Sequence, residues 1–170
     1  MKKAKKYPDA PEYTVIKDTR EQDGYNFSKF ALCKGMMIKK LDTGDYTIKG
    51  FEDKICVERK ACVAEVAQNL GQKKYAFFNE IERMKEYDHR YIVMEFTLEE
   101  LLEFPKGAHI SQANKKQIRI TGKYILRMLM EFQLYDNVHV IFAGNKKNAF
   151  LFISSLFKRI NEKYTIGRTK

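Results

Sequence analysis

The chain has few of the residues that form cross-links or bind zinc. It contains three cysteines and three histidines in 170 residues. Cys33, Cys56 and Cys62 are an odd number and form no C-x-x-C pair, so neither a disulfide framework nor a zinc site is expected. This usage fits a reducing compartment, either a bacterial or host cytoplasm or a eukaryotic nucleus. We expect Cys56 and Cys62 to be small core residues.

Long apolar runs are also missing, because charges interrupt every apolar segment. No membrane-spanning segment is therefore expected. The basic residues 1–6 lead into the polar residues 7–12 rather than into an apolar stretch, so the protein is not expected to be secreted. We expect one domain over residues 1–170, in which residues 1–12 form a basic arm.

Negative charge is scarce in two stretches of a chain whose net charge is +10. A surplus of this size favours a polyanionic partner, nucleic acid or an anionic membrane. Residues 105–130 contain no acid, and Glu162 is the only acid from residue 144 onward. Solvated helix faces are one explanation. The other is contact with nucleic-acid phosphates, for which the candidates are Lys106, Lys115, Lys116, Arg119, Lys123, Lys146 and Lys147.

Hydrophobic spacing predicts strands and helices in one α/β domain. Strands are predicted over Glu12–Lys17, within Met36–Ile48, and over Lys54–Lys60, Tyr91–Phe96 and Val138–Phe142. Helices are predicted over 62–70, 73–87, 98–104 and 118–135, with a last amphipathic helix near the C-terminus, and a polar loop over 105–117. The three early strands suggest a β-meander. The whole order predicts a three-layer α/β/α sandwich with a mixed central sheet.

Two strand-like segments carry carboxylates that can converge. Asp45 lies in Gly44-Asp45-Tyr46, and Glu58 follows thirteen positions later in Val57-Glu58-Arg59-Lys60. Two such carboxylates can hold a hard divalent cation. Lys60 has the same side-chain direction as Glu58, since strand side chains alternate. A cation, an amine and an activated water serve phosphodiester hydrolysis, so the pattern predicts a metal-dependent nuclease. Ordinary surface acids are the alternative.

A third acidic group strengthens the first explanation. Asp18 and Glu21 directly follow the first predicted strand, on either side of Arg20. Acids at the same end of neighbouring strands repel one another unless a cation lies between them. Arg59 alternates with Glu58 and Lys60, so we expect its side chain on the opposite face of the strand.

The order and spacing of these motifs resemble the XPF-type nuclease domain, a branch of the restriction-endonuclease-like (PD-(D/E)xK) fold. The resemblance rests on Asp18-x-Arg20-Glu21, Gly44-Asp45-Tyr46 and Val57-Glu58-Arg59-Lys60, and it covers roughly the first half of the chain. The stretch 77–84 (FFNEIERM) also resembles that family's second helix.

The resemblance implies an endonuclease that uses Mg²⁺ or Mn²⁺ and no organic cofactor. By similarity, Asp45, Glu58 and the backbone carbonyl of Arg59 hold the metal, and Asp18 is a further candidate ligand. Lys60 would position or activate the attacking water.

The remaining roles that the resemblance implies concern the surrounding charges. Asp18 and Glu21 would complete the acidic cluster. Arg20 and Arg59 would brace carboxylates or contact phosphate, because guanidinium groups suit both partners. For Arg59 a purely structural ion pair is an equal alternative.

The sequence departs from the family pattern in two ways. The family usually has an aspartate several residues after its Glu-Arg-Lys, whereas here the nearest acid is Glu65, which is the candidate substitute. Many members also carry a helix–hairpin–helix module, and no such glycine-rich hairpin pattern occurs in this chain. We therefore expect a compact stand-alone nuclease of the viral or mobile-element kind.

Cleavage of single-stranded or branched DNA, such as flaps or forks, is the leading functional hypothesis. A catalytically inactive DNA-binding or scaffolding module and an RNA-directed nuclease are the alternatives. A homodimer is also expected, through the apolar stripe of the C-terminal helix. The alternative for that stripe is burial in the monomer core. Its residues are Phe150, Phe152, Ile153, Leu156, Phe157 and Ile160.

Overall fold

A mixed β-sheet forms the centre of the molecule in the computed structural model, which describes residues 11–30, 32–106 and 118–166. Its strands within these ranges are β1 (Tyr13–Lys17), β2 (Cys33–Ile38), β3 (Tyr46–Ile48), β4 (Ile55–Lys60), β5 (His89–Met94) and β6 (His139–Phe142). The helices are α1 (Val63–Leu70), α2 (Lys74–Met84), α3 (Leu98–Glu103), α4 (Gly122–Tyr135) and α5 (Lys146–Thr165).

The strands lie in the order β2-β1-β3-β4-β5-β6. β1 is parallel to β2, β3 is antiparallel to β1 and to β4, and β4, β5 and β6 are parallel to one another. The predicted β-meander is therefore wrong. Parallel neighbours need a crossover connection, and the chain between Lys17 and Cys33 supplies it.

This topology brings five strand ends and one strand start to the same edge of the sheet. β1, β2, β4, β5 and β6 end there, and β3 begins there. We call this the carboxyl edge. Asp18, Glu58 and Glu95 lie at the ends of their strands, and Asp45 directly precedes β3 rather than ending a strand. The acids that the sequence places near strands thus meet at one edge.

Helices cover both faces of the sheet, which confirms the predicted three-layer sandwich. One face packs against helices α1 to α4, with Val66, Phe77 and Leu129 in its core. The other face packs against α5 and the chain between β1 and β2, with Phe27 and Phe157 in its core. Successive residues of β4 point into different layers, because strand side chains alternate.

The apolar stripe of α5 belongs to the monomer core. Ile153 and Phe157 are fully buried and Ile160 is 5% exposed. The other stripe residues pack against the same cluster. The expectation that this stripe forms a dimer surface is wrong, because one sheet face with its crossover chain has enough apolar area to cover it.

Three local features differ from the sequence predictions or lie beyond them. α4 begins at Gly122 rather than near residue 118, because the Thr121 hydroxyl caps the helix by accepting from the Tyr124 N–H at 3.3 Å. Cys56 is buried as expected, but Cys62 is exposed, since it precedes α1 instead of lying on its inward face. Residues 1–10 of the basic arm and 107–117 of the predicted loop lie outside the described ranges.

Within the described ranges, no helix combines the length and apolarity that a membrane span requires.

The close approach of α3 to α4 yields a stability prediction. A methyl group on Gly122 would lie 1.8 Å from the Leu101 carbonyl oxygen, which is backbone and cannot rotate away. Gly122→Ala should therefore lower the free energy of unfolding by about 3 kcal/mol, at the upper end of overpacking costs. Urea unfolding measures the change.

Gly35→Ala is the matched control, because no atom lies within 4 Å of the added methyl group. Its unfolding midpoint should stay the same or rise slightly. Equal stability of the two variants would show that α3 and α4 separate easily.

Candidate active site

Glu58 and Lys60 project from the same side of β4, as their spacing predicts. The Lys60 Nζ donates to Glu58 Oε1 at 2.6 Å, and the two residues are 3% and 6% exposed respectively. The ammonium also lies 3.5 Å from Glu65 Oε1 and 5.1 Å from the centre of the Phe77 ring. Lys60 is thereby held by two carboxylates and an aromatic face.

Asp45 is held against β4 by the turn that precedes β3. Its N–H donates to the Val57 carbonyl at 2.8 Å, and its Oδ2 accepts from the Arg59 N–H at 2.7 Å. Gly44 adopts φ +75°, and a Cβ there would lie 3.1 Å from the Val57 carbonyl oxygen. A side chain at position 44 would push Asp45 away from β4, which explains why glycine precedes the aspartate.

Burial and neighbouring negative charge raise the proton affinity of both carboxylates. Burial raises the pKa of Asp45 well above its ordinary value, and the negative charge of Glu58 adds to the effect. Burial likewise raises the pKa of Glu58 against the opposing influence of Lys60. Burial lowers the pKa of the Lys60 ammonium, but the charges of Glu58, Glu65 and Glu80 and the hydrogen bond to Glu58 together keep it above the usual value. The site therefore favours an additional positive charge.

Glu80 of α2 is a fourth charged residue beside Asp45, Glu58 and Lys60, and the sequence analysis did not single it out. Its Oε1 accepts from the Gly44 N–H at 3.4 Å, and its charge and hydrogen bonding help to raise the pKa of Glu58. The stretch that resembles the family's second helix contains this residue. Only the packing of α2 on the carboxyl edge reveals that Glu80 lies beside Glu58.

Asp18 anchors the loop that leads to Gly44. Its oxygens accept from the Arg20 side chain at 2.7 and 3.2 Å, from the Arg20 N–H at 2.8 Å and from the Leu41 N–H at 2.6 Å. Burial alone would raise the pKa of Asp18, but these hydrogen bonds together lower it. Arg20 thus braces a carboxylate, while metal binding by Asp18 stays a prediction.

Arg59 points to the opposite face of β4 and forms a buried ion pair. Its guanidinium donates to both oxygens of Glu95 at 2.7 and 2.9 Å, and its Nη1 lies 3.3 Å from Glu21. Tyr25 also donates its hydroxyl proton to Glu95. The Arg59 side chain therefore forms the structural ion pair that the sequence analysis gave as the alternative. Glu21 points toward Arg59, and Glu95 is a partner that the sequence analysis missed.

The candidate substitute acid lies close to Lys60. Glu65 Oε2 accepts from the Ala61 N–H at 2.9 Å while Oε1 approaches the Lys60 ammonium. The side chain thus spans the junction between β4 and α1. This placement is compatible with the role of the family's later aspartate, which remains a prediction.

The predicted nucleic-acid contacts fall into two regions. Lys146 and Lys147 begin α5 at the carboxyl edge, where Lys146 pairs with Asp23 at 2.8 Å. Lys106 follows α3, and Arg119 and Lys123 flank the start of α4. The two remaining candidates, Lys115 and Lys116, lie outside the described residues.

The donor set suits a hard divalent cation. Within residues 11–30, 32–106 and 118–166, no three acids, cysteines or histidines form a metal-binding group. Asp45 and Glu58 nevertheless supply carboxylate oxygens that repel each other when ionised. Mg²⁺ is commonly held by one or two carboxylates together with waters and substrate phosphates. Two adjacent carboxylates, of which Glu58 is buried and Asp45 partly exposed, therefore meet the requirement.

The fold and the acidic edge define a restriction-endonuclease-like α/β domain. Residues 17–156 match the ERCC4 domain family, and the chain belongs to that family. No curated protein sequence matches the chain.

Solved structures of similar fold include XPF from Aeropyrum pernix. It is 21% identical, with a TM-score of 0.61, over 86% of this chain and 61% of that chain. XPF from Aeropyrum pernix in complex with DNA is 19% identical, with a TM-score of 0.60, over 90% of this chain and 66% of that chain. The chain thus spans less than two thirds of the length of either structure. Family and fold confirm the resemblance to the XPF-type nuclease domain.

The buried Arg59–Glu95 pair yields a second stability prediction. Glu95→Ala leaves the guanidinium, which is 6% exposed, without its two-pronged acceptor. Removal of one partner from a buried pair should cost about 3 kcal/mol or more of unfolding free energy. Chemical denaturation at neutral pH provides the measurement.

Glu82→Ala is the control for loss of an ion pair, because the Glu82 side chain is 66% exposed and pairs with Lys85. Its cost should stay within about 1 kcal/mol. A Glu95→Ala protein as stable as this control would show that Glu21 and Asp23, which lies 3.5 Å from the guanidinium, are enough to satisfy Arg59.

Proposed function

We propose that this protein is a metal-dependent endonuclease that hydrolyses phosphodiester bonds in single-stranded or branched, flap- or fork-like DNA, with Mg²⁺ or Mn²⁺ as cofactor. The observation that carries the proposal is the convergence of Asp45 with the buried Glu58–Lys60 pair, whose charges both act on Asp45. The free cysteines fit a reducing cytoplasm or nucleus.

Asp45, Glu58 and the Arg59 carbonyl would hold the cation. A bound divalent cation supplies Lewis-acid polarisation of the phosphoryl group and favours ionisation of water. The Arg59 N–H keeps one Asp45 oxygen turned toward β4. Glu80 and Glu58 increase the negative potential that attracts the cation.

Lys60 acts through its positive charge. The Glu58 carboxylate favours the protonated amine and raises its pKa, so Lys60 is an ammonium ion at neutral pH and a poor base. Its N–H groups can orient a water molecule or stabilise negative charge that develops on the phosphate oxygens. Glu65 and the Phe77 ring restrict the directions that the ammonium can take.

Basic residues would position the DNA through its phosphates. Lys146 and Lys147 lie at the carboxyl edge, and the Arg20 side chain there is 64% exposed. Such contacts fix the position of a strand without reading its sequence. The remaining proposed phosphate contacts are Lys106, Lys115, Lys116, Arg119 and Lys123.

The inactive-scaffold alternative is less favoured by the site. Two adjacent carboxylates with raised pKa destabilise the folded state at neutral pH. A module that only binds DNA gains nothing from that cost. RNA cleavage remains an outcome of the substrate assay.

A homodimer is proposed through α4 instead of α5. Met130, Leu134 and Tyr135 on α4 are 50%, 75% and 80% exposed. Exposed apolar side chains that cluster on one helix favour a protein interface. Light scattering across micromolar concentrations tests the proposal, and a constant monomer mass would contradict it.

One assay tests the proposed function. Labelled single-stranded, duplex, flap and fork DNA, and single-stranded RNA, are incubated with the purified protein in Mg²⁺, Mn²⁺ or EDTA. Cleavage of single-stranded or branched DNA is expected with either metal and not with EDTA. Metal-dependent cutting of RNA alone would establish the RNA alternative, and no cutting would favour the scaffold.

Substitution of the metal-binding carboxylates should separate activity from stability. Asp45→Asn and Glu58→Gln should each lower the cleavage rate about a hundredfold or more, because a charged ligand is lost with little change of volume. Asp45→Asn should keep or raise the melting temperature at neutral pH, since a carboxylate with a raised pKa is removed.

Asp42→Asn is the control, because Asp42 is exposed on the same loop. It should cleave at the wild-type rate. Near wild-type cleavage by either Asp45→Asn or Glu58→Gln would remove these residues from the metal site.

Replacement of Lys60 tests whether its charge acts in the transition state. Lys60→Ala should lower kcat about a hundredfold and change KM little, because a contact that strengthens during the reaction is lost. Steady-state kinetics under saturating metal give both constants. A change confined to KM would make Lys60 a phosphate anchor.

A further inference from the structure

A cavity of about 630 Å³ lies next to the candidate active site. One wall is α1, and residues 118–120 lie on another side. Glu65 lines the cavity and also approaches the Lys60 ammonium at 3.5 Å. Glu65 therefore lies between the cavity and Lys60.

The lining combines apolar walls with unpaired polar groups. Ala64, Ala67, Phe104 and Ile120 supply apolar surface, whereas Gln68, Gln72 and Arg119 supply two amides and a guanidinium. These last three residues are exposed, and within the part of the chain that the structure describes no hydrogen bond or ion pair engages their side chains. Exposed polar groups at the rim of an apolar pocket are available to hydrogen-bond a ligand that enters it.

We propose that this cavity holds one unpaired nucleotide of the substrate strand beside the scissile phosphate. The inference rests on the proposed function and specifies the substrate of that site. The base would lie against the apolar walls, with Gln68 or Gln72 on its hydrogen-bonding edge and Arg119 on a flanking phosphate. The volume lies in the range of pockets that enclose molecules of this size.

A base that occupies this open cavity must be unpaired. A base inside a duplex is stacked and hydrogen-bonded, and it enters a pocket only after it leaves the helix. A single strand or the unpaired arm of a branch meets this condition at no such cost. The cavity thus gives a physical reason for a preference for single-stranded or branched DNA.

The residues that follow the cavity continue a surface suited to a single strand. Lys73 and Lys74 come directly after Gln72 and are exposed, and Tyr75 is 88% exposed. Lysines beside an exposed aromatic ring match the phosphates and bases of single-stranded nucleic acid. The charge of this surface is complementary to DNA and not to a second basic copy of the chain.

Binding measured without metal tests the inference separately from cleavage. The probes are a labelled oligothymidylate and an abasic deoxyribose-phosphate strand of equal length, compared by fluorescence anisotropy in EDTA. The two strands carry the same charge and differ only in their bases. Wild-type protein should bind the oligothymidylate about tenfold more tightly, as expected for one base that packs against the cavity wall. Equal affinities would overturn the inference, and an apolar protein partner would then be the better occupant.

A cavity-filling variant locates the effect. Ala64→Phe should bind both strands with the affinity that wild-type protein has for the abasic strand. Ser155→Phe, on an exposed position of α5, adds the same ring elsewhere and should keep the preference. An unchanged preference in folded Ala64→Phe would overturn the proposed site.

A milder variant decides the matter if Ala64→Phe fails to melt cooperatively. Gln72 is exposed, so Gln72→Ala should fold and should reduce the preference for bases several-fold. An unchanged preference in that variant would also overturn the inference. Base-dependent binding without metal-dependent cleavage would reject the nuclease proposal alone, whereas cleavage without base-dependent binding would reject the cavity alone.

Discussion

The repulsion between Asp45 and Glu58 is the constraint on which the rest of the structure depends. Burial disfavours ionisation of both carboxylates, the Glu58 charge further disfavours ionisation of Asp45, and Glu80 further disfavours ionisation of Glu58. The fold holds them together by contacts that are mostly backbone: Gly44 allows the turn to approach β4, and the Arg59 N–H binds Asp45. Lys60 offsets part of the negative charge. What remains is an electrostatic preference for another cation.

β4 separates chemistry from anchoring by the alternation of its side chains. Glu58 and Lys60 face the layer of α1 and α2, whereas Arg59 faces Tyr25 and Glu95 in the other layer. The same Arg59 residue thus contributes a buried ion pair on one side and, through its peptide N–H, a bond to Asp45. The ion pair in the second layer fixes the position of Arg59. Because the N–H of the same residue binds Asp45, the ion pair also fixes the acidic group.

The sequence predicts the site residues that are close to one another in the chain. It predicts less well the residues that the packing of distant elements brings to the site. Asp45, Glu58 and Lys60 follow from local spacing, and the opposite direction of Arg59 follows from strand alternation. Glu80 and Glu95 come from other elements, and their approach depends on how α2 and β5 pack beside β4. Hydrophobic patterns carry no strand direction, so the parallel pairing of β1 with β2 was not predictable from them. Apolar spacing on α5 likewise could not distinguish a dimer surface from a core.

The alternation in β4 also bears on how this domain can change by insertion and deletion. One residue added to or removed from the strand before Glu58 would shift its register and exchange the two faces. Arg59 would then point at the acidic group, and the carboxylate and the amine would enter the aromatic layer around Tyr25. Loops between strands can vary in length, but the stretch from Ile55 to Lys60 can change only by substitution, because its length determines which layer receives each charge.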